Sequence, residues 1–370
     1  MADTTVPEAA GPAPRQRAGY IDWMRGLAVL IMILGHVVDS WTVLGPVRQT
    51  DGYYYLLILT GMGAPMFLWL AGLALPLAGH ARVRRGATPS EASRLLQRRG
   101  WQIFGLALLF RLQAYLFSHG ASLIGLFKVD ILNVMGLSLV AAAWLWGRNH
   151  HPRGRVVWAA AATVAILVLT PLMRVWEWPG LLPGPLEWYL RPTPTRTTFT
   201  LLPWSAFVTA GLVVGEIVAA TPPAARGMRF HLAVLGVGVT MTGIAYALSF
   251  QPTPLPGSQF WTTSSAFFGI RLGVLIGTFG LLYLALRPDG LWARHTWPRG
   301  WSPIALLGRS SLFIYWVHVE LVYGVFSKPL HQAMSLPQAL ASCAAFTLLM
   351  LAIAMLKTRY WDRASLMSDA

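Results

Sequence analysis

Long apolar stretches recur along the whole 370-residue chain and are separated by short polar segments. A helix of about 20 apolar residues crosses a hydrocarbon layer about 30 Å thick. We therefore predict an all-α polytopic membrane helix bundle of about ten transmembrane helices. The expected spans are residues 23–44, 55–79, 101–118, 129–147, 156–173, 199–219, 230–250, 264–286, 303–327 and 337–356.

The composition agrees with a lipid environment. Hydrophobic residues make up 55% of the chain and charged residues only 12%. A soluble domain averages about 25% charged residues. Too few charges are present to cover a water-facing surface, so the lipid bilayer is the expected surrounding.

The net charge of +15 would suggest nucleic acid as a partner of a soluble protein. Here most of the 29 Lys and Arg residues fall in alternate loops. That asymmetry follows the positive-inside rule and places both termini in the cytoplasm. No nucleic-acid partner is therefore expected.

The chain divides into a disordered cytoplasmic tail at 1–19, a single transmembrane domain at 20–357 and a second cytoplasmic tail at 358–370. The apolar stretch 121–127 is too short to span the membrane and predicts a re-entrant or interfacial segment.

Met1–Gly19 lacks the apolar core of a signal peptide, and the outer loops hold no glycosylation sequon. These features favour a bacterial plasma membrane, and a homo-oligomer is an open alternative.

Several polar residues fall inside the predicted spans or at their ends, where a charge costs about 2.5–3.5 kcal/mol on insertion scales. At a rise of about 1.5 Å per residue, His36, His318 and Arg271 all lie about 20 Å from the cytoplasmic face. This shared depth predicts a buried polar pocket that opens outward. The full set is His36, Asp39, Arg111, Asp130, Asn133, Glu216, Arg271, His318 and Glu320.

The spacing along the first helix indicates acid–base chemistry. Arg25 and His36 are eleven residues apart, about three helical turns, so both face one side. Asp22 can form an ion pair with Arg25, three residues later. Asp39 can reach the His36 imidazole and raise its basicity. The competing interpretation is a histidine that only bonds to a neighbouring helix. Glu320 should point away from His318, since two residues separate them.

The largest outer loop, at about 174–198, is rich in aromatic residues. Trp176 and Trp188 fit either an aromatic belt at the membrane interface or a platform on which a sugar ring stacks. Both interpretations stay open on the sequence.

Five segments resemble a transmembrane acyltransferase superfamily. In YIDWMRGLAVLIMILGH (Tyr20–His36), Arg25 and His36 match the Arg-x10-His hallmark of acyltransferase family 3. The other segments are similar to the heparan-alpha-glucosaminide N-acetyltransferase-like branch. They are GAPMFLWLAGLAL, SRLLQRRGWQIFGLALLFR, VDILNVMGLSL and LGRSSLFIYWVHVELVYG.

The resemblance implies transfer of an acyl group, expected to be acetyl, from cytoplasmic acyl-CoA to an outer hydroxyl or amine acceptor such as a glycan. It makes His36 the catalytic histidine, as general base or acyl carrier. The CoA phosphates need cations at the inner face, for which Arg25, Arg98 and Arg99 are candidates. Around His36, the candidates for the oxyanion or the acceptor are His318, Arg271, Asp130 and Asn133. The chain lacks a large extramembrane domain, which leaves acceptor recognition open.

Two other classes of function compete with the enzyme. Buried ionisable groups also occur in proton-coupled transporters, although no inverted repeat is evident here. A scaffold without chemistry is the third class. No metal site is expected, since His150 and His151 lie in a loop and have the pattern of solvated residues.

Overall fold

The computed structural model describes residues 19–117, 122–253, 255–287 and 302–368, with side chains described to residue 360. Regular structure in these ranges is helical. The helices are α1 (Gly19–Trp41), α2 (Asp51–Thr60), α3 (Gly63–Val83), α4 (Pro89–Phe117), α5 (Ile131–Arg148), α6 (Pro152–Val175), α7 (Gly184–Leu190), α8 (Leu201–Ala220), α9 (Met228–Leu248), α10 (Ser265–Leu286), α11 (Pro303–Arg309), α12 (Ser311–Tyr323) and α13 (Leu336–Ser368).

The predicted fold class, a polytopic membrane helix bundle, is confirmed. Within the described residues, eight helices are long and apolar enough to cross a membrane, with α2 and α3 counted together. A ninth crossing is formed if α11 and α12, bent by 88° at Ser310, count as one broken span. The predicted span at 101–118 corresponds to the second half of α4. This second half also carries Gln102, Arg111 and Gln113, and α4 is not among the helices counted as apolar enough to cross.

Local sequence explains where some helices begin and end. Asp130 caps the start of α5, where its side chain and that of Asn133 form a capping box. Ser264 caps α10 through the backbone N–H groups of Ala266 and Phe267. The short apolar stretch forms a 3₁₀ turn at Leu123–Phe127. Helix α13 continues through the predicted tail to Ser368, whereas residues 1–18 lie outside the described part of the chain.

Glycines at the helix crossings set how closely the backbones approach. Lipid offers no hydrophobic driving force between helices, so small residues and close van der Waals contact stabilise the crossings. A Cβ on Gly26 of α1 would collide with the carbonyl of Ile304, and one on Gly308 would collide with the carbonyl of Asp22. Helix α11 is therefore held directly against the first turns of α1.

Helix α12 then runs beside the rest of α1. The Ser40 hydroxyl and the Trp41 indole N–H both donate to the carbonyl of Val322, at 3.1 and 3.3 Å. Ile33 and Ile314 are buried in the apolar cluster between these helices. The parallel course of α1 and α12 brings residues at equal depth on the two helices into contact.

We call the end of the bundle that holds Arg25 the basic end and the opposite end the outer end.

We expect Gly26→Val to destabilise the protein by about 1–3 kcal/mol, because the new side chain meets a backbone carbonyl that cannot rotate away. Thermal unfolding of the detergent-purified protein measures this loss. Gly105→Val is the matched control, since the space around Gly105 of α4 is open and both changes carry the same helix-propensity cost. Equal unfolding temperatures for the two variants would contradict the role of the α1–α11 crossing.

Candidate active site

A cavity of about 760 Å³ lies between helices α1 to α5, α8 and α10 to α12. Arg25 and His36 both line it, and eleven residues of helix separate them by about 16 Å along the axis. The cavity therefore extends from the basic end to the middle of the bundle and beyond. Its lining includes Arg25, Arg99 and Arg309, then Met32, Phe67, Leu70, Ile103 and Leu312, then His36, Asp39 and Tyr323, and finally Thr198, Trp204, Trp261 and Arg271.

Three arginines from three helices meet at the basic end of the cavity. Arg25 and Arg99 line it, whereas Arg98, exposed like Arg99, does not contribute to the lining. Arg25 also forms the expected ion pair with Asp22, at 3.6 Å. Arg309 is the third cation, and sequence reasoning missed it because the bend at Ser310 brings the end of α11 to the cavity. The arrangement can bind a polyanion.

His36 and His318 form a direct hydrogen bond. His36 Nδ1 lies 2.8 Å from His318 Nε2, and the two rings are parallel within 4°. His318 is fully buried, and its Nδ1 lies 2.8 Å from the carbonyl oxygen of Ile314. The two histidines, which the sequence predicted to lie at the same depth, are therefore in direct contact.

This pair of hydrogen bonds assigns the tautomers of both neutral rings. A carbonyl oxygen only accepts, so His318 Nδ1 carries the hydrogen and His318 Nε2 is the acceptor. His36 Nδ1 must then donate to His318. The remaining nitrogen, His36 Nε2, keeps its lone pair and has no hydrogen-bond partner among the described residues. His36 can thus act as a base toward the cavity.

Asp39 has different partners from those the sequence predicted. Its carboxylate accepts a hydrogen bond from the Tyr323 hydroxyl at 3.2 Å and lies 3.7 Å from Arg48. The Tyr323 ring meets the His36 ring edge-on, with centroids 5.5 Å apart. The expected pairing of Asp39 with the His36 imidazole is wrong, because His318 occupies that position on His36 Nδ1.

Arg271 lies near the level of His36, as the depth argument predicted. A Cβ on Gly61 would lie 3.4 Å from its Nη2, and Thr60 in turn packs against Gly35, the residue before His36. The guanidinium sits over the Phe267 ring, 3.9 Å from its centroid. Arg271 lines the main cavity and also a second cavity at the outer end.

The second cavity, which we call the outer chamber, has a volume of about 520 Å³ and adjoins the main cavity. The two share Thr198, Trp204, Trp261 and Arg271. Its other lining residues include Arg174, Thr200, Gln259, Thr262, Thr263, Ser264 and Phe267. The outer chamber thus adjoins the cavity that contains His36, with these four residues at the boundary.

Asp130 and Asn133 hold the start of α5 and do not line the cavity. Asp130 forms an ion pair with Arg111 of α4 and caps α5. Asn133 is buried, its side-chain oxygen accepts from the Asp130 backbone N–H, and it lies near Tyr189 of α7. Burial raises the pKa of Tyr189, which stays a neutral phenol at physiological pH. Neither residue lines one of the two cavities, and both anchor the start of α5.

The two loop tryptophans also lie away from the cavities. Trp188 is buried against Val129 and Val134, with Arg196 over its ring. Trp176 is partly exposed and lines neither cavity. The tryptophans that line both cavities are Trp204, at the start of α8, and Trp261, in the segment before α10. Nothing in their local sequence distinguishes them from interface tryptophans.

Glu216 belongs to a separate buried network near the basic end. Its carboxylate accepts from the Trp146 indole at 2.9 Å and lies 2.9 Å from His80 and 3.3 Å from Arg155. These residues come from α3, α5, α6 and α8, so the network joins four helices.

Glu320 packs toward Gln113 of α4, on the side of α12 away from His318, as its spacing predicted. Across the described residues, no group of three His, Cys, Asp or Glu side chains could hold a metal ion.

Comparison with known families matches the chain to one of them. The model described as heparan-alpha-glucosaminide N-acetyltransferase, catalytic, matches residues 17–236, which is more than half of the chain. The family resemblance of the sequence is thereby confirmed. The match includes Arg25, His36 and Arg99, while Arg271 and His318 lie beyond it. A comparison with curated proteins found no match.

We expect Glu216→Gln to lower stability by about 3–5 kcal/mol, because Arg155 would lose its buried counter-charge. The thermal unfolding temperature of the purified protein measures this. Glu187→Gln is the control, since its ion pair with Arg191 is partly exposed and contributes about 1 kcal/mol or less. If both variants unfold like the wild type, the network does not hold the four helices together.

Proposed function

The chain belongs to the heparan-alpha-glucosaminide N-acetyltransferase catalytic family, and we propose that it moves an acetyl group from cytoplasmic acetyl-CoA to a hydroxyl or amine acceptor at the outer end. The family is one of membrane acetyltransferases. A glycan is the expected kind of acceptor, and a bacterial plasma membrane is the expected location.

The observation that carries this proposal is the continuity of the cavity past His36. One cavity holds a cluster of cations, an apolar middle, a histidine with a free lone pair and a polar outer end. A transferase that uses a cytoplasmic donor and an outer acceptor needs these four parts in this order. Both substrates can then occupy the protein together, which favours direct transfer.

Coenzyme A matches the basic end in charge and the middle in polarity. Its phosphates would pair with Arg25, Arg99 and Arg309, whose guanidinium groups bind phosphate oxygens with charge-assisted hydrogen bonds. The pantetheine arm would lie along Met32, Phe67 and Leu70. The thioester carbonyl would then come close to His36.

His36 would act as the general base in the transfer. Its Nε2 takes the proton from the acceptor hydroxyl or amine while that oxygen or nitrogen forms a bond to the thioester carbon. The carbon–sulfur bond then breaks, and CoA leaves as the thiol after receiving the proton. An acyl-histidine formed at the same Nε2 is the alternative route. Incubation with labelled acetyl-CoA and no acceptor distinguishes the routes, because only the second leaves label on the protein.

His318 would act through His36 as a positioning residue. By accepting the Nδ1–H of His36, it fixes the tautomer whose lone pair is at Nε2. It also stabilises the positive charge that His36 gains when it takes the acceptor proton. In this proposal His318 has the role that the sequence assigned to Asp39.

For the donor site, we expect Arg99→Gln and Arg309→Gln to weaken acetyl-CoA binding about tenfold each, because each loses one charge-assisted hydrogen bond. Titration of the purified protein with acetyl-CoA measures the Kd. Arg98→Gln is the matched control, since Arg98 is the neighbour of Arg99 and does not line the cavity. Equal losses for Arg98→Gln and Arg99→Gln would mean that the basic residues serve membrane topology alone.

For the reaction, we expect His36→Ala to bind acetyl-CoA normally and to lose thiol release by about 10²–10⁴-fold, since the general base is gone. A thiol-reactive dye follows the release of CoA. His318→Gln should retain more activity than His318→Leu, because a Gln side-chain oxygen can still accept the His36 Nδ1–H.

Two results would contradict these expectations. Full activity of His36→Ala would remove His36 from the mechanism. If the wild type has no affinity for any CoA species and instead accumulates a solute in sealed vesicles under a pH gradient, the protein is a proton-coupled transporter.

A further inference from the structure

We propose that the Tyr315 hydroxyl donates the hydrogen bond that stabilises the oxyanion formed on the acetyl group during transfer. This inference rests on the proposed acetyl transfer and adds a catalytic residue to it. Tyr315 lies beyond the residues that the family model matches.

The proposed reaction needs such a donor beside His36. When the acceptor oxygen or nitrogen bonds to the thioester carbon, an electron pair of the carbonyl double bond moves to the carbonyl oxygen. A donor that the protein already holds in place stabilises this oxyanion. The electron pair then re-forms the double bond, the carbon–sulfur bond breaks, and CoA leaves as the thiol with the proton that His36 took. The phenol keeps its own proton throughout.

Tyr315 lies next to the histidine pair. It lines the main cavity, and its ring meets the His318 ring edge-on, with centroids 5.7 Å apart. Tyr315 precedes His318 by three residues of α12, which places its backbone about 4.5 Å nearer the basic end. A thioester that enters from the basic end would therefore pass Tyr315 on its way to His36.

The hydroxyl of Tyr315 is free to bind a ligand. Two other hydroxyl groups that line this part of the cavity are occupied. That of Thr60 donates to the carbonyl of Leu56 at 2.8 Å, and that of Tyr323 donates to Asp39 at 3.2 Å. Among the described residues, the Tyr315 hydroxyl has no hydrogen-bond partner, so its proton is available to a carbonyl oxygen in the cavity.

Other donors in the cavity wall lie farther from the histidine pair or on its outer side. Ser311 is on the same face of α12 as Tyr315, but it precedes His318 by seven residues, about 10 Å along the helix axis. Arg271 is held over the Phe267 ring and is shared with the outer chamber. Tyr315 is therefore the donor best placed for a carbonyl that arrives from the basic end.

Packing holds the Tyr315 ring in position without using its hydroxyl. The ring contacts Phe110 of α4, with centroids 6.2 Å apart, as well as His318. It also packs against both large apolar clusters of the bundle. Tyr315→Phe keeps these ring contacts and removes only the donor, so it separates catalysis from packing.

The test uses full-length protein in detergent and acetyl-CoA as the probe. Thiol release at saturating acetyl-CoA, with water as the acceptor and acetate as the other product, gives the rate constant, and titration gives the Kd. The variants are Tyr315→Phe, Ser311→Ala and Tyr53→Phe. Tyr53 is the matched control, because its phenol is buried and lines neither cavity.

We expect Tyr315→Phe to slow thiol release by about 10²–10³-fold, as the loss of one oxyanion donor does, and to leave the Kd of acetyl-CoA unchanged. Ser311→Ala and Tyr53→Phe should release thiol at the wild-type rate.

Infrared difference spectra of bound acetyl-CoA labelled with ¹³C at the carbonyl provide a second measurement, made in the His36→Ala background to prevent turnover. The carbonyl stretch should lie at a lower frequency in His36→Ala than in His36→Ala/Tyr315→Phe, because a hydrogen bond from the phenol weakens the carbonyl double bond. A residue that only supports the fold would not produce this difference.

The inference is overturned if Tyr315→Phe releases thiol at the wild-type rate, if its loss appears as weaker acetyl-CoA binding, or if the carbonyl stretch is the same in both backgrounds. A loss in Ser311→Ala instead would assign the donor to Ser311. If release depends on His36 but not on Tyr315, the oxyanion inference alone fails. If acetyl-CoA neither binds nor reacts, the proposed transfer fails.

Discussion

The contact of α1 with the broken helix α11–α12 is the constraint on which the candidate site depends. Gly26 and Gly308 let the two backbones touch at the basic end, and Val322 accepts hydrogen bonds from Ser40 and Trp41 at the outer end. Between these two anchors, His36 and His318 are held at hydrogen-bond distance. Because lipid does not drive helices together, this close contact needs both the small residues and the polar bonds.

Ionisable groups inside the bundle fall into two kinds. Glu216 with Arg155 and Asp130 with Arg111 are balanced within the protein and join helices. His36 Nε2 and Arg271 have no partner among the described residues, and both face cavities. Burying an ionisable group inside a membrane protein is costly. A buried group without a partner therefore marks a place where a bound substrate can supply the missing interaction.

The bend between α11 and α12 has a consequence at each end of the cavity. It brings Arg309 to the basic end beside Arg25, and it directs α12 so that His318 lies against His36. On one straight helix these two residues, nine positions apart, would face opposite sides. The break thus links the cationic end of the cavity to the geometry of the histidine pair.

The sequence by itself determined the helical membrane fold, the approximate spans, the family, and the shared depth of His36, His318 and Arg271. These follow from apolar length, charge and helical rise, which are properties of single segments. The tertiary structure decided that His318 rather than Asp39 is the partner of His36, and that Arg99 rather than Arg98 lines the cavity. It also decided that Trp204 and Trp261, rather than Trp176 and Trp188, line the cavities. Those outcomes depend on helix rotation and on contacts between distant segments, which no local pattern encodes.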